Sequence, residues 1–317
     1  MKAIVLEKFG GIENLKLREV DKPIIKPNEL LVRVKAISIN PVDAMVRANK
    51  APLAGRLASE MPLILGWDFS GIIEEIGPVK SEFKIGDEVF GMVNFVGHGK
   101  AYAEYIAVPI DQIALKPTNI SHEEAAAATL AALTAWQAFN SYGKLRPNDR
   151  VLIHAASGGV GHYAIQMAKY LGAYVIGTSS TKNRDFILGL GADEHIDYKI
   201  TDFEDRLSNI DFVLEAIGKT NFKKSVGVLK KFGTIVTLPS GYTNEDRLAA
   251  ESKYLHGSYF MSVYSSGEDM NIIADLLEKR IIKSVVSHVF SFEDIHKAHQ
   301  QIEKGNTIGK IVVRIEE

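Results

Sequence analysis

Val151-Leu152-Ile153-His154-Ala155-Ala156-Ser157-Gly158-Gly159-Val160-Gly161-His162-Tyr163-Ala164-Ile165-Gln166-Met167-Ala168-Lys169-Tyr170-Leu171 reads as a strand, a glycine turn and a helix in immediate succession. The apolar run Val151-Leu152-Ile153 fits a buried parallel strand. It breaks at Ala156-Ser157-Gly158-Gly159-Val160-Gly161, a form of G-x-G-x-x-G with Ala156 in place of the first glycine. Gly161, Ala164, Ile165, Ala168 and Leu171 then share one face at helical spacing. A pyrophosphate needs bare backbone N–H groups at a helix N-terminus, and a Cβ at Gly158 would hold it off. Gly161 lets the helix approach the strand. A glycine-rich turn in an unrelated α/β protein is the plain alternative, but the motif is specific when set between a strand and an amphipathic helix. The stretch predicts a dinucleotide site on Ser157, Gly158, Gly159, Val160 and Gly161.

Outward from that turn, strands and helices alternate, as a doubly wound parallel sheet requires. Strands are expected at 150–155, 174–178, 194–197, 211–216, 233–238 and 258–263, with helices at 160–171, 182–189 and 220–231. Ahead of it, residues 1 to about 118 carry short alternating strands (Lys2–Lys8, Leu15–Glu19, Glu29–Ser38, Gly71–Ile76, Glu88–Met92, Ala101–Val108) punctuated by Pro23, Pro27, Gly77-Pro78 and Gly86-Asp87. An alanine-rich helix follows from Glu123 to Phe139, with Ser121 and Glu124 spaced as a capping box. A tail adds helices at 267–280 and 292–304 and strands at 285–290 and 309–315. The expected division is a β domain of residues 1–120 completed by 265–317, and a nucleotide domain of 121–264. The fold class is α/β.

The second Rossmann strand carries a further signal. An NAD-binding strand usually ends in an acid about twenty residues past the glycines, gripping the ribose 2′-OH. Here Tyr174-Val175-Ile176-Gly177 runs into Thr178-Ser179-Ser180-Thr181-Lys182-Asn183-Arg184. Hydroxyls and two cations replace the acid, which is what a 2′-phosphate needs. The expectation is NADPH, with Ser179, Ser180 and Lys182 as ligands. Arg184 reads equally as a ligand or as a solvated helix charge.

Composition narrows the remaining chemistry. The 317 residues suffice for two domains, and 46% apolar with 24% charged is ordinary for a globular protein. A formal net charge of −2 argues against a general nucleic-acid binder. No apolar stretch reaches membrane-span length, and Met1-Lys2-Ala3-Ile4-Val5 reads directly as a strand, so no signal peptide is expected. The expected location is the cytoplasm. The chain has no cysteine, so no disulfide, thiol nucleophile or cysteine-ligated zinc is possible.

With these motifs in view, the chain resembles the medium-chain dehydrogenase/reductase superfamily, in its zinc-free quinone oxidoreductase branch. The resemblance spans nearly the whole chain. It rests on Asn40-Pro41-Val42-Asp43, Leu65 to Gly77, Gly86-Asp87-Glu88-Val89-Phe90, Tyr102-Ala103-Glu104-Tyr105, Leu133-Thr134-Ala135-Trp136, His154 to Gly161, and Gly309 to Val313. It implies a GroES-like β domain, a Rossmann domain and a tail that rejoins the first domain. Zinc-dependent relatives carry Gly-His-Glu where this chain has Gly66-Trp67-Asp68. A hydride-transfer site without a Lewis acid suits quinones and α,β-unsaturated carbonyls, whose charge delocalises onto a remote oxygen that hydrogen-bond donors can stabilise.

The resemblance also ranks the candidate residues. Asn40 is expected near the nicotinamide, bonding the ribose or the acceptor oxygen; the alternative is an Asx turn before Pro41. Asp43 is read as a helix cap. Met45 stands where relatives often have Tyr or Lys. Thr134 matches a family threonine near the nicotinamide, or else bonds back within its helix. Lys182 and Tyr198 match residues lining the 2′-phosphate pocket. Trp67 and Asp68 are read as substrate wall or turn. His98 and Tyr102 are expected in a loop bordering the cleft, with Tyr102 or solvent as proton donor. His154 is read as a packed histidine, and His296 with His299 as a solvated helix face without metal. The expected activity is an NADPH-dependent, zinc-independent reduction of a small conjugated carbonyl or quinone; a non-catalytic NADPH-binding protein is the alternative. A homodimer is expected through the apolar edge strand Gly257-Ser258-Tyr259-Phe260-Met261-Ser262.

Overall fold

The computed structural model describes residues 1–238, 243–253, 255 and 257–315. Its strands before the nucleotide region are β1 (Lys2–Leu6), β2 (Leu15–Glu19), β3 (Glu29–Ile39), β4 (Leu63–Ile64), β5 (Asp68–Ile76), β6 (Glu88–Met92), β7 (Tyr105–Pro109) and β8 (Ile113–Leu115). Helices α1 (Pro41–Arg47), α2 (Pro52–Leu57), α3 (His122–Ala127) and α4 (Leu130–Gln137) lie among and after them. The nucleotide region carries β9 (Arg150–Ile153), α5 (Gly159–Tyr170), β10 (Tyr174–Ser179), α6 (Arg184–Gly189), β11 (Glu194–Asp197), β12 (Ile210–Glu215), α7 (Lys219–Val228), β13 (Leu229–Thr237), α8 (Asn244–Ser252) and β14 (Gly257–Phe260). The tail supplies α9 (Gly267–Glu278), β15 (Val286–Ser291), α10 (Ile295–Glu303) and β16 (Lys310–Arg314).

Contacts divide the chain into one unit of Met1–Leu133 with Val263–Glu317 and another of Thr134–Ser262. In the first, β1 pairs with β2 and β4, while a larger sheet runs β15-β16-β3-β5-β6-β8 with β7 also on β3. The tail rejoins this sheet through β16, antiparallel to β3, with Ile311 opposite Ile39 and Arg314 opposite Ala36. Ala126 and Ala127 of α3 bury against Ala36 and Val312, so small side chains bring that helix close to the sheet. Helix α3 thus packs on the β sheet and groups with the first unit.

In the second unit all six strands are parallel in the order β11-β10-β9-β12-β13-β14, the 3-2-1-4-5-6 winding of a Rossmann sheet. The order reverses at β9, where the glycine turn begins. Leu152, Ile176, Val213, Ile235, Phe222 and Val226 form part of its core. Each such buried side chain contributes about 1.5–3 kcal/mol.

One helix expected as continuous is two. The Ser121 capping box opens α3, Ser121 Oγ accepting the Glu124 N–H at 3.2 Å and Glu124 accepting the Ser121 N–H at 2.9 Å. The run then breaks at Ala128-Thr129, where the Thr129 hydroxyl donates to the Ala126 carbonyl and Asp68 Oδ1 accepts the Leu130 N–H at 3.0 Å. A carboxylate from 62 residues upstream starts α4. Helix α8, poor in apolar residues, opens with the Thr243–Asp246 capping box and carries the i,i+4 pair Arg247–Glu251.

Candidate functional site

In the second unit the glycine loop is shaped by backbone first. Ala155 adopts φ +49°, a conformation that L-residues rarely hold. The Gly158 N–H donates to the Ala155 carbonyl at 2.8 Å, closing the turn, and Gly158 stands as the cap residue of α5. A Cβ on Gly161 would lie 2.3 Å from the Ala155 carbonyl oxygen and 2.7 Å from Ala156 Cα, so only glycine fits. Gly158, Gly159 and Val160 are half-buried at the start of the helix. Ser157 is buried and its Oγ accepts from Asn183 Nδ2 at 2.9 Å, which leaves the hydroxyl proton for another acceptor. Asn183, which sequence reasoning passed over, keeps its own Oδ1 buried with no hydrogen-bond partner among the described residues.

At the end of β10 the predicted residues separate. Ser179 is turned inward, its hydroxyl 3.1 Å from His195 Nε2 and 3.2 Å from the Ser180 carbonyl oxygen. Ser180 is also buried. Lys182, Arg184 and Tyr198 are exposed, and Arg184 pairs with Asp185 at 3.1 Å. The nearby acid, Asp197, serves the turn: it accepts the Thr181 N–H at 2.7 Å, the Lys199 N–H at 2.8 Å and the Thr181 hydroxyl. The Thr181 hydroxyl and these N–H groups hold its carboxyl below the ordinary range.

His154 lies just after β9 and is buried, with Nδ1 3.1 Å from the Thr178 hydroxyl and Nε2 3.0 Å from Ser225 Oγ. Burial lowers its pKa, against the pull of Glu215. The Ser225 proton goes to Glu215 at 2.7 Å, and the same His154 Nε2 sits 3.7 Å from that carboxylate. This is no nucleophilic triad, in which the serine proton faces the imidazole and the acid holds the other ring nitrogen. Glu215 also accepts the Ile217 and Gly218 N–H groups at 2.7 and 3.1 Å and Asn221 Nδ2 at 2.8 Å. It fixes the turn after β12.

In the first unit Asn40, which precedes α1, is buried with both ends of its amide bonded. Nδ2 donates to Asp68 Oδ2 at 2.7 Å and Oδ1 accepts from Lys310 Nζ. Lys310 Nζ lies 3.8 Å from Asp68 Oδ2. Burial lowers the pKa of Lys310 and raises that of Asp68, each opposed by the other's charge. Asp43 caps α1, its Oδ2 accepting the Asn40 N–H at 2.6 Å. Burial pushes the Asp43 carboxyl up to about 7. Lys310 is invisible to local sequence reading because it lies 270 residues from Asn40.

Tyr102 and His299 both lie elsewhere than the sequence suggests. Tyr102 is fully buried, its hydroxyl 3.2 Å from His299 Nε2. Burial and the neighbouring Asp43 raise its pKa well above the ordinary value, so it keeps its proton in the interior and does not border a cleft. His299 is likewise fully buried, not on a solvated face, and burial followed by Arg47 lowers its pKa to about 3. His98 bonds Glu60 at 2.7 Å and the Ile64 carbonyl at 2.9 Å. Thr134 is buried on α4.

Comparison with known proteins adds independent findings. Residues 26–118 match the alcohol dehydrogenase GroES-like domain, and residues 190–313 match a family described as zinc-binding dehydrogenase. The second description meets a chain without cysteine. The chain is 32% identical to the mouse "NAD(P)H oxidoreductase RTN4IP1, mitochondrial", covering 99% of this chain and 89% of that protein. It is 33% identical to the tomato 2-methylene-furan-3-one reductase, over 99% of this chain and 79% of the relative. Among solved structures, the quinone oxidoreductase of Coxiella burnetii superposes with a TM-score of 0.94 at 34% identity, covering 100% and 99% of the two chains. The Escherichia coli quinone oxidoreductase complexed with NADPH superposes with a TM-score of 0.87 at 27% identity, covering 99% and 100%. No helix among the described residues is long and apolar enough to cross a membrane.

Proposed function

The chain belongs to the medium-chain dehydrogenase/reductase superfamily, in its zinc-free quinone oxidoreductase branch, and from that premise we propose an NADPH-dependent, zinc-independent reductase of quinones or α,β-unsaturated carbonyls. It is an NAD(P)H-type oxidoreductase by relationship. The choice of NADPH and of a conjugated acceptor is the proposal.

The observation that carries it is the paired character of the second unit: a tight glycine loop on α5, and a β10 terminus without an acid. The residues fit the cofactor. Gly159, Val160 and Gly161 offer backbone N–H groups in the first turn of α5, and Ser157, whose Oγ accepts from Asn183, keeps its hydroxyl proton for another acceptor. Lys182 is exposed beside β10, with Tyr198 exposed just after β11, while the acid Asp197 is occupied by Thr181. A 2′-phosphate gains charge-assisted bonds there that a 2′-hydroxyl does not. The chemistry such a cofactor supplies when bound is a hydride.

Asn40 orients the ribose or the acceptor oxygen, with Thr134 as the second side chain assigned to the nicotinamide region. A donor to the acceptor oxygen contributes about 3 kcal/mol where negative charge develops. With Tyr102 sealed in the interior, solvent delivers the proton. The absence of cysteine and of the ligand histidine at Trp67 supports a reaction that needs no Lewis acid, which favours conjugated acceptors over alcohols. The proposal includes a homodimer through β14, which stands last in the described strand order and carries Phe260 at 48% exposure. It also includes the cytoplasm as the location.

The test is oxidation of NADPH and NADH by chelator-treated protein with 1,4-benzoquinone and with a 2-alkenal. Turnover with NADPH preferred is expected. NADPH binding without turnover of either acceptor would leave a cofactor-binding protein and defeat the reductase.

A further inference from the structure

We infer that Lys310 is a positioning residue for the reaction, holding the Asn40 side-chain amide in a single rotation with a polarised N–H as its remaining donor. The inference rests on the reading of Asn40 as a group that meets the ribose or acceptor oxygen.

A primary amide has two nearly isosteric rotations, and its partners decide between them. Here the partners are of opposite charge. Lys310 Nζ can only donate, so it fixes Oδ1 on its side, and Asp68 Oδ2 accepts Nδ2 at 2.7 Å on the other. Asp68 alone would not suffice. Buried beside nothing cationic, its carboxyl would hold a proton and could donate to Oδ1, allowing the reversed amide. Lys310, 3.8 Å away and itself buried, keeps that carboxyl an acceptor while occupying Oδ1. Both effects exclude the same wrong rotation. The second N–H of Asn40 makes no hydrogen bond among the described residues. An ammonium bonded to the carbonyl strengthens that N–H as a donor through cooperative polarisation.

The fold explains why the lysine reaches this point. Lys310 opens β16, whose next residue, Ile311, pairs with Ile39, immediately before Asn40. The C-terminal tail thus brings a cation to the strand end where Asn40 begins α1. The Asp68 carboxylate also takes the Leu130 N–H on Oδ1, so its own orientation is fixed from the other side.

The test combines kinetics with a direct view of the amide. Lys310→Met is expected to lower kcat about tenfold with the NADPH Kd within about twofold, the size of one lost charge-assisted bond. Lys310→Arg should restore most of it. In a double-mutant cycle, Asn40→Ala and Asn40→Ala/Lys310→Met should share the same kcat, because a residue acting through Asn40 has nothing left to position. The side-chain amide signals of Asn40 in 15N-labelled protein, assigned by their loss in Asn40→Asp, should shift and broaden in Lys310→Met and remain sharp in Lys310→Arg. If Lys310→Met does not fold, Asp68→Asn/Lys310→Met removes both buried charges, and the same signals are read there. Additive losses in the cycle, or unchanged amide signals without Lys310, would overturn the positioning role. A wild-type enzyme that turns over no conjugated acceptor defeats the proposed reaction instead, and the amide signals then decide the Lys310 inference alone.

Discussion

Each unit buries a polar cluster at strand ends, and the two clusters differ in how fully they are bonded. In the second unit, Glu215 accepts four hydrogen bonds and His154 has a hydroxyl on each ring nitrogen. In the first, Asp43 Oδ1, Arg47 Nε and His299 Nδ1 are buried with no hydrogen-bond partner among the described residues. Buried polar groups are normally satisfied, so an incomplete cluster is the one whose shape serves something besides stability. The Glu215 cluster is a frame that fixes a turn. The Asn40–Asp68–Lys310 cluster and its neighbours hold an amide ready and tolerate shifted titrations to do so.

The largest effect expected from this contrast is on stability in the second unit. Glu215→Ala strands the donors of Ile217, Gly218, Asn221 and Ser225 and should cost about 3–5 kcal/mol, read as a lower urea midpoint. A midpoint within experimental error of wild type would remove the framework role.

The first unit should instead reveal itself through pH. Asp43 titrates at about 7 in the folded chain against an ordinary value near 3.8, so the folded form binds the extra proton between those limits. Stability from this group is present at low pH and is lost as pH rises from about 4 through 7. His299 runs the other way: its folded value of about 3 lies below 6.5, so its contribution is present above 6.5 and is lost as pH falls towards 3. Asp43→Asn should therefore gain on wild type as pH rises from 4 to 7, by at most about 4 kcal/mol for a shift of this size. His299→Gln should gain as pH falls below 6.5. Chemical unfolding at several pH values checks both, and parallel profiles for wild type and variants would contradict the assignment.

Smaller effects sharpen the division of labour. Lys182→Ala should weaken NADPH about tenfold and leave NADH unchanged, as loss of one phosphate contact predicts; equal weakening of both would remove the 2′-phosphate role. Tyr102→Phe loses one buried hydrogen bond, about 1 kcal/mol, and should keep its turnover. A collapse of turnover in that variant would return Tyr102 to the chemistry.

Much of the second unit was legible because its signals are local. The Val151–Leu171 stretch contains its own strand, turn and helix, and the missing acid after Gly177 lies within the same βαβ unit. The Ser121 box likewise spans only four residues. The first unit's cluster was not legible, because it joins Asn40, Asp68, Tyr102, His299 and Lys310 across most of the chain. His299 looked solvated since its helical neighbours are polar, yet its own position on α10 faces inward to Tyr102. The break between α3 and α4 escaped for the same reason: the carboxylate that starts α4 comes from β5. Tertiary contacts of this kind leave no period in the sequence.

The most direct measurement compares Asn40→Ala and Lys182→Ala in one assay of kcat and of NADPH and NADH dissociation constants. Asn40→Ala should lower kcat about a hundredfold without changing the NADPH-to-NADH preference, as removal of a transition-state donor does. Lys182→Ala should change the preference and leave kcat intact. If Asn40→Ala alters only cofactor preference, or Lys182→Ala abolishes turnover at saturating cofactor, the separation of acceptor chemistry from cofactor choice is wrong.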